Sequence, residues 1–399
     1  MAKIFPLLVF LLIQIACTSE NQMETLSGST SLDYALDTVI IDPGEELLFV
    51  AGRLYNSDLS PDGKYLYNYN QHDHSFEQID LDEKKFVRKL PFEKEGPNGT
   101  GDFFRSFFLL DDEHILIVTF PNPLIFDLNG KKLKELKFQE LITDDSKTDV
   151  RQAFLVEMNL PEQKNQYLGF LRSFEAKSTE LMRVDLNEGS TKTMSIPQFE
   201  NLKNFSLQFT DGKSSMISGP QTYLSRKGGK ILLGSNLRNE IYQYLPETDS
   251  LRVFTYQSQL TDNEKTIPGA SEFDTQEGFL EAIRQVREEI SFSPPVWDER
   301  NKVYYRFSHK EVLEEPDTEN FQWPAATSAE VYLTLFDENL EMLAETAVPD
   351  ITMPPQMHFV KDGKIWMFVN VEDEVGFARL SMDLGRRTFP SEGVSLHEN

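Results

Sequence analysis

The stretch Leu59-Ser-Pro-Asp-Gly-Lys-Tyr-Leu-Tyr-Asn-Tyr69 sets the fold when it is read together with its continuation: His72-Asp-His-Ser75, Phe76-Glu-Gln-Ile-Asp-Leu81, Asp82-Glu-Lys-Lys85 and Phe86-Val-Arg-Lys-Leu90. Asp62-Gly63 and Asp82-Glu83 are turn formers, and Tyr65, Tyr67 and Tyr69 recur with the period of two that marks a pleated strand. The unit therefore reads turn, strand, turn, strand, turn, strand. Working outward, Leu110–Val118 leads to Leu124–Leu128, Asn129-Gly130 and Lys131–Leu136. Gln166–Leu171 is followed by Glu180–Leu186 and the turn Asn187-Glu-Gly189. Arg226–Leu233 precedes Glu240–Tyr244 and Ser250–Phe254. Asp298–Tyr305 precedes Val331–Phe336 and Leu340–Leu343, and Lys361–Phe368 precedes Gly376–Leu380. Six copies over roughly 330 residues give a spacing of about 50 to 60, the range of a propeller blade with long connections.

Short antiparallel strands leave exposed hydrogen-bonding edges, and radial closure is one solution. The expected fold is all-β, a six-bladed or seven-bladed β-propeller over residues 33–390. An early strand, Thr38–Ile41 or Leu47–Val50, would complete the last blade. A β-sandwich or two stacked β domains is the alternative. Asp274–Ile290 breaks the pattern: Phe279, Ile283, Val286 and Ile290 recur at helical spacing, with Asp274 or Thr275 as N-cap and Glu277 in the first turn. It reads as an inserted amphipathic helix whose apolar face covers a sheet edge.

Residues 1–16 hold one charge, Lys3, then the apolar run Ile4–Ile13, and Ala16 precedes Cys17, the only cysteine. This is the layout of a secretory signal, and the run is too short for the roughly 20 apolar residues of a membrane span. Cys17 sits where the lipobox of bacterial lipoproteins places its acylated cysteine, with Gln14 where that pattern favours Leu. An ordinary secretory signal ending at a cysteine is the alternative. Two or more acyl chains would anchor the protein to the membrane stably. Residues 17–32 read as a flexible tether and 391–399 as a tail. With no other cysteine, no disulfide can staple the exported body, so its stability must come from its core. The formal net charge of −26 and the absence of any Lys/Arg cluster argue against nucleic acid or anionic headgroups as partners.

Glu95-Gly-Pro-Asn-Gly-Thr-Gly101, after Leu90-Pro-Phe92, resembles the Glu-Gly-Pro-rich segment of six-bladed propeller lipoproteins from Bacteroidota. With the leader and the helical insertion, the chain most closely resembles the domain-of-unknown-function family 4221, over about Asp33 to Phe389. The resemblance implies a propeller fold and an envelope location, and it brings no catalytic residues.

His72 and His74 would share one face of an extended segment and could begin a metal site, or simply form a polar blade turn. Asp111-Asp112, Asp144-Asp145 and Glu314-Glu315 could act in acid/base chemistry or hold Ca²⁺, in a chain with 65 carboxylates. No Gly-x-Ser-x-Gly elbow, His-Glu-x-x-His, phosphate loop or dinucleotide fingerprint is present. Trp297 in Phe292-Ser-Pro-Pro-Val-Trp297 and Trp323 in Phe321-Gln-Trp-Pro324 lie in Pro-rich loops, as ligand platforms or as loop-core packing. Arg53, Arg105, Arg151 and Arg172 stand near strand starts and would make an anion-recognising patch if they lined a central channel. The expected function is a non-enzymatic binding or scaffold module of the cell envelope, without a cofactor, taking a peptide, glycan or protein partner. The alternatives are a metal-assisted propeller hydrolase or lyase with carboxylate-bound Ca²⁺, acting on a small or glycan substrate, and a structural subunit of an envelope complex.

Overall fold

A computed structural model describes residues 32–142, 152–160, 163–173 and 177–384. Cys17, the tether up to residue 31, Arg151, Asp144-Asp145 and the tail lie outside them. Among the described residues no helix is long and apolar enough to cross a membrane.

The chain is all-β and propeller-like, built from successive antiparallel sheets. Sheet I holds Ser57–Leu59, Tyr65–Asn70, Ser75–Asp80 and Lys85–Pro91 in that order; sheet II holds Ser106–Leu109, His114–Val118, Leu124–Asp127 and Lys132–Glu135. Sheet III runs Gln152–Asn159, Gln166–Ser173, Ser178–Asp185, Ser190–Met194, and sheet IV runs Thr222–Lys227, Lys230–Ser235, Glu240–Leu245, Ser250–Thr255. In sheet V the short strands Ser291–Phe292 and Val296–Asp298 both pair with Val303–Leu313, followed by Ala326–Phe336 and Met342–Ala347. Sheet VI comprises His358–Lys361, Lys364–Val371 and Glu374–Met382, and its fourth strand is the N-terminal Tyr34–Ile40, paired from Tyr34 with Met382 to Ile40 with Gly376. Of the two segments expected to complete the last sheet, Thr38–Ile41 falls in this strand. Leu47–Val50 is not a strand, although Leu48 and Phe49 are buried.

Strand periodicity decides how the sheets stack. In sheet I, Leu66 and Ile79 face sheet VI, where they meet Phe359, Trp366, Phe368 and Phe377, while Tyr67 and Phe76 face Phe107, Ile115, Ile117 and Phe126 of sheet II. In sheet IV, Ile231 and Leu233 join Leu168 and Phe170 of sheet III, whereas the intervening Leu232 joins Tyr304 and Phe336 of sheet V. Leu116 and Val118 meet Val156 and Tyr167 between sheets II and III, and Leu333 and Leu335 meet Ile365 and Met367 between V and VI. These strands carry unbroken apolar runs, such as His114-Ile-Leu-Ile-Val118 and Lys230-Ile-Leu-Leu233, because both of their faces are buried.

A recurring aspartate fixes the hairpin after the third strand. Asp80 accepts from the backbone N–H of Asp82 and Glu83, Asp127 from Asn129 and Lys131, Asp185 from Asn187 and Glu188, and Asp337 from Asn339 and Glu341. Side-chain acceptance two to four residues on holds the chain in a turn without help from the sheet. The Asp62-Gly63 turn works similarly, with Gly63 at φ 68°, where a side chain would strain the backbone.

Two features depart from the sequence-based unit. Each sheet has a further strand ahead of the first one expected, and sheet V has two. A separate small sheet also forms from Leu207–Thr210, Ser215–Ser218 and Glu272–Phe273. The helix Gln276–Glu288 belongs to this insertion; Thr275 caps it by accepting from Gly278 N at 3.3 Å. Phe279, Leu280 and Ile283 bury against Leu207 and Phe209 of the small sheet's face.

Candidate functional site

The first strand of sheet IV is partly polar where the strand beside it, Lys230–Ser235, is largely apolar. On Thr222–Lys227, Tyr223, Ser225 and Lys227 share one face at a spacing of two, and Leu224 points the other way into the core between sheets III and IV. That polar face lines a cavity of about 980 Å³, enclosed by the start of sheet I (Arg53 to Leu59), the start of sheet V (Ser291 to Val296), the segment leading into sheet VI (Met353 to Phe359) and the helical insertion.

Four buried side-chain atoms along this wall have no hydrogen-bond partner among the described residues, Ser225 Oγ, His309 Nδ1, Gln356 Oε1 and His358 Nε2, while a fifth, Tyr223 Oη, interacts with the Arg306 guanidinium behind it. Buried polar atoms normally find partners in protein, water or ligand, so their convergence leaves this cavity with polar groups able to meet one. Charged side chains join them. Arg287 is held by Glu311 at 2.8 Å, and Lys265 donates to the carbonyls of Val286 and Glu289 at the end of the helix. Burial pushes the Lys265 ammonium down to about 8. Asp58 accepts from the N–H groups of Leu109 and Leu59, and burial raises its carboxyl above the usual range while Lys227 opposes the shift. Neither Arg53 nor Lys227 forms an ion pair among the described residues. Arg53 is held at the rim by a turn in which Arg53 and Leu54 both adopt left-handed φ values of 49° and 55°, anchored by the fully buried Leu54.

Behind Tyr223 lies Arg306, 1% exposed, surrounded by the rings of Tyr256, Phe292 and Phe336 at 5.2 to 5.4 Å. Its guanidinium donates to the carbonyl of Glu240 and to Asn239, with no carboxylate in contact, and it acts electrostatically on the Tyr223 phenol, which burial pushes up to about 12.

Burial pushes the His309 imidazole down to about 4, helped by Lys265, Arg287 and His358 and opposed by Glu311. The ring is thus neutral when folded at neutral pH. Between pH 6.5 and about 4 the unfolded chain takes up a proton that the folded one refuses, so this contribution to stability is intact above 6.5 and fades as pH falls. After allowance for the solvent reaching the ring, the parent is expected to lose about 2 kcal/mol more than His309→Gln between pH 7 and pH 4. Urea unfolding of both proteins across that range checks this; parallel curves would contradict it.

The residues singled out from sequence are dispersed. Arg53 and Trp323 line the cavity, Trp323 with its ring edge-on to Phe279. Trp297 instead packs on Tyr304 at 4.6 Å and donates to Glu299, outside the cavity lining. Arg105 and Arg172 come together around Glu157: Arg105 pairs with it at 2.8 Å, and Arg172 donates to Thr222, a cavity residue. His72 and His74 occupy a turn, not an extended strand, and they diverge. His72 lies edge-on to Phe49, while the buried His74, at φ 57°, bridges Tyr69 and Thr100. Asp111 is used up in its own turn by Glu113, His114 and the His114 ring, and Glu314 accepts from Ala325 N. No group of three or more His, Cys, Asp or Glu able to hold a metal occurs among the described residues.

The residues missed by sequence reading are Tyr223, Ser225, Lys227, His309, Gln356 and His358. The one available signal was Tyr223, Ser225 and Lys227 at every second position, beside a strand with the apolar run Ile231-Leu-Leu233.

Comparison with known proteins agrees with this architecture. The family model "Domain of unknown function (DUF4221)" matches residues 29–347. A crystal structure of a DUF4221 member from Bacteroides vulgatus ATCC 8482 is similar with a TM-score of 0.65 and 14% identity, covering 88% of this chain and 99% of that one. A protein of Bacteroides fragilis NCTC 9343 assigned as exported is similar with a TM-score of 0.51 and 11% identity, covering 90% of this chain and 99% of that one. At such identities these likenesses concern the fold alone. No curated protein matches the chain by sequence. The chain belongs to the DUF4221 family.

Proposed function

We propose that the chain is an exported lipoprotein of the cell envelope, processed and acylated at Cys17 and held at the outer membrane, whose six main sheets close into one six-bladed propeller serving as a binding or scaffold module. The apolar clusters support closure, because each joins a sheet to the next and the cluster of Leu66, Ile79, Trp366 and Phe377 joins the last to the first. The observation that carries the binding reading is the cavity where first strands meet, with four buried polar atoms that lack partners among the described residues. A rigid ring offering a preformed concave site needs no rearrangement to bind.

Two measurements test this reading. Radiolabelled palmitate fed to producing cells is expected to label the parent and not Cys17→Ser; equal labelling, or none in the parent, would remove the anchor. A thermal-shift screen of peptides, glycans and small organic acids is expected to yield ligands that Ser225→Trp, which fills the cavity, no longer responds to. Ligands indifferent to that substitution would put the binding face elsewhere.

A further inference from the structure

The cavity wall is chemically divided. On the sheet IV side Tyr223, Ser225 and Lys227 supply two hydroxyls and an ammonium, with the Tyr223 hydroxyl against the buried Arg306 guanidinium behind it and Asp58, its carboxyl raised by burial, near Lys227. A guanidinium enclosed by three aromatic rings without a carboxylate leaves that side electropositive in a chain whose formal net charge is −26. On the sheet VI side the groups are acceptors. His358 Nδ1 lies 2.8 Å from the carbonyl of Gln356, a contact that requires N–H there; burial keeps the ring neutral, so Nε2 carries a lone pair. Gln356 Oε1 adds a second acceptor. At the rim, four of the exposed large apolar side chains of the molecule gather: Tyr55, Ile217, Trp323 and Met353.

Cations and hydroxyls on one wall, acceptors on the opposite wall and apolar groups at the mouth match one kind of occupant. We propose that this cavity binds a small organic acid with an apolar body and an N–H or O–H donor near its carboxylate. The carboxylate would meet Lys227, Tyr223 and Ser225; the donor would meet His358 and Gln356; the apolar body would lie against Trp323 and Met353. Lys227 suits this role because it makes no direct ion pair among the described residues and its carboxyl neighbour, Asp58, is pushed toward the neutral form by burial, whereas Arg287 is already held by Glu311. The inference rests on the binding reading above and adds the ligand's chemical class.

Isothermal titration of the full-length protein with four matched probes tests it: 3-phenyllactate, L-phenylalanine, 3-phenylpropionate and 3-phenyllactamide. Phenyllactate or phenylalanine, whichever donor the site prefers, is expected to bind about tenfold more tightly than both the propionate, which lacks the donor, and the amide, which lacks the charge. Lys227→Met is expected to weaken that binding about tenfold and Tyr223→Phe about threefold, with added salt weakening the parent and not Lys227→Met. Tyr223→Phe keeps the ring that packs over Gly234, so it stays informative if Lys227→Met misfolds. If the amide binds as well as the acids and Ser225→Trp abolishes both, the acid inference falls while the binding cavity stands. No binding by any probe at about 10 mM overturns the inference, and the ligand screen then judges the wider reading separately.

Discussion

Glu77→Leu is expected to lower the stability of the protein by about 3 to 5 kcal/mol, although Glu77 touches neither the cavity nor a cation. Its carboxylate is fully buried and accepts from Phe49 N at 3.0 and 3.1 Å, from Asn68 Nδ2 at 2.8 Å and from Asn70 Nδ2 at 2.8 Å. Leucine fills most of the volume but strands these donors without acceptors, and each buried orphan costs about 1 to 3 kcal/mol. Some of that is recovered because Asn68 also donates to the carbonyl of Phe49. Glu77→Gln keeps one acceptor oxygen and should cost about half as much. The contact also reaches the site, since it pins the segment that carries Arg53 and Tyr55 to the cavity rim. Urea unfolding of the three proteins measures the effect. A Glu77→Leu midpoint equal to that of the parent would show that the buried carboxylate is no anchor.

The legible parts of the sequence were those where local chemistry and burial agree. The second and third strands of the sheets, and the fourth in sheets I, II, IV and V, announce themselves through apolar or alternating runs bounded by turn formers, as in Lys64 to Leu90; the fourth strand of sheet III, Ser190–Met194, did not. The helix was legible because Thr275, Phe279 and Ile283 supply cap and apolar face together. First strands were not, because Ser57-Asp-Leu59 and Ser106–Leu109 span only three or four residues, too few to show a period. The small sheet escaped for a related reason: Glu272-Phe273 adds two residues in parallel to a strand more than sixty positions earlier, a pairing that no local pattern encodes. The site was the least legible part. Tyr223, His309 and His358 lie on three different sheets, and only the tertiary arrangement brings them to one wall. Arg105 and Arg172 do lie together as an anion-recognising patch would require, but Glu157 between them takes up charge that the sequence could not assign. His72 and His74 looked paired because two residues on a strand share a face; a left-handed turn at His74 removes that geometry.

The N-terminal strand is the point on which the proposed ring closure turns, since a strand from the start of the chain completes a sheet formed near its end. Starting the protein at Ile41 removes the seven-residue ladder to Glu374–Met382, the buried Leu32 and the pairing of Asp37 with Arg379 and Lys364. The lost backbone hydrogen bonds are largely balanced by the entropy of a shorter ordered chain. The burial of Leu32 and Val39 and the ion pairs remain, about 3 to 5 kcal/mol together, along with a bare strand edge open to self-association. Urea unfolding followed simultaneously by tryptophan fluorescence and far-ultraviolet circular dichroism is the decisive measurement. One coincident transition is expected for the parent, and for the protein starting at Ile41 a lower midpoint at which the two signals separate as sheet VI loosens first. An unchanged midpoint with coincident signals would refute closure by the N-terminal strand, because the last sheet would then hold together without it.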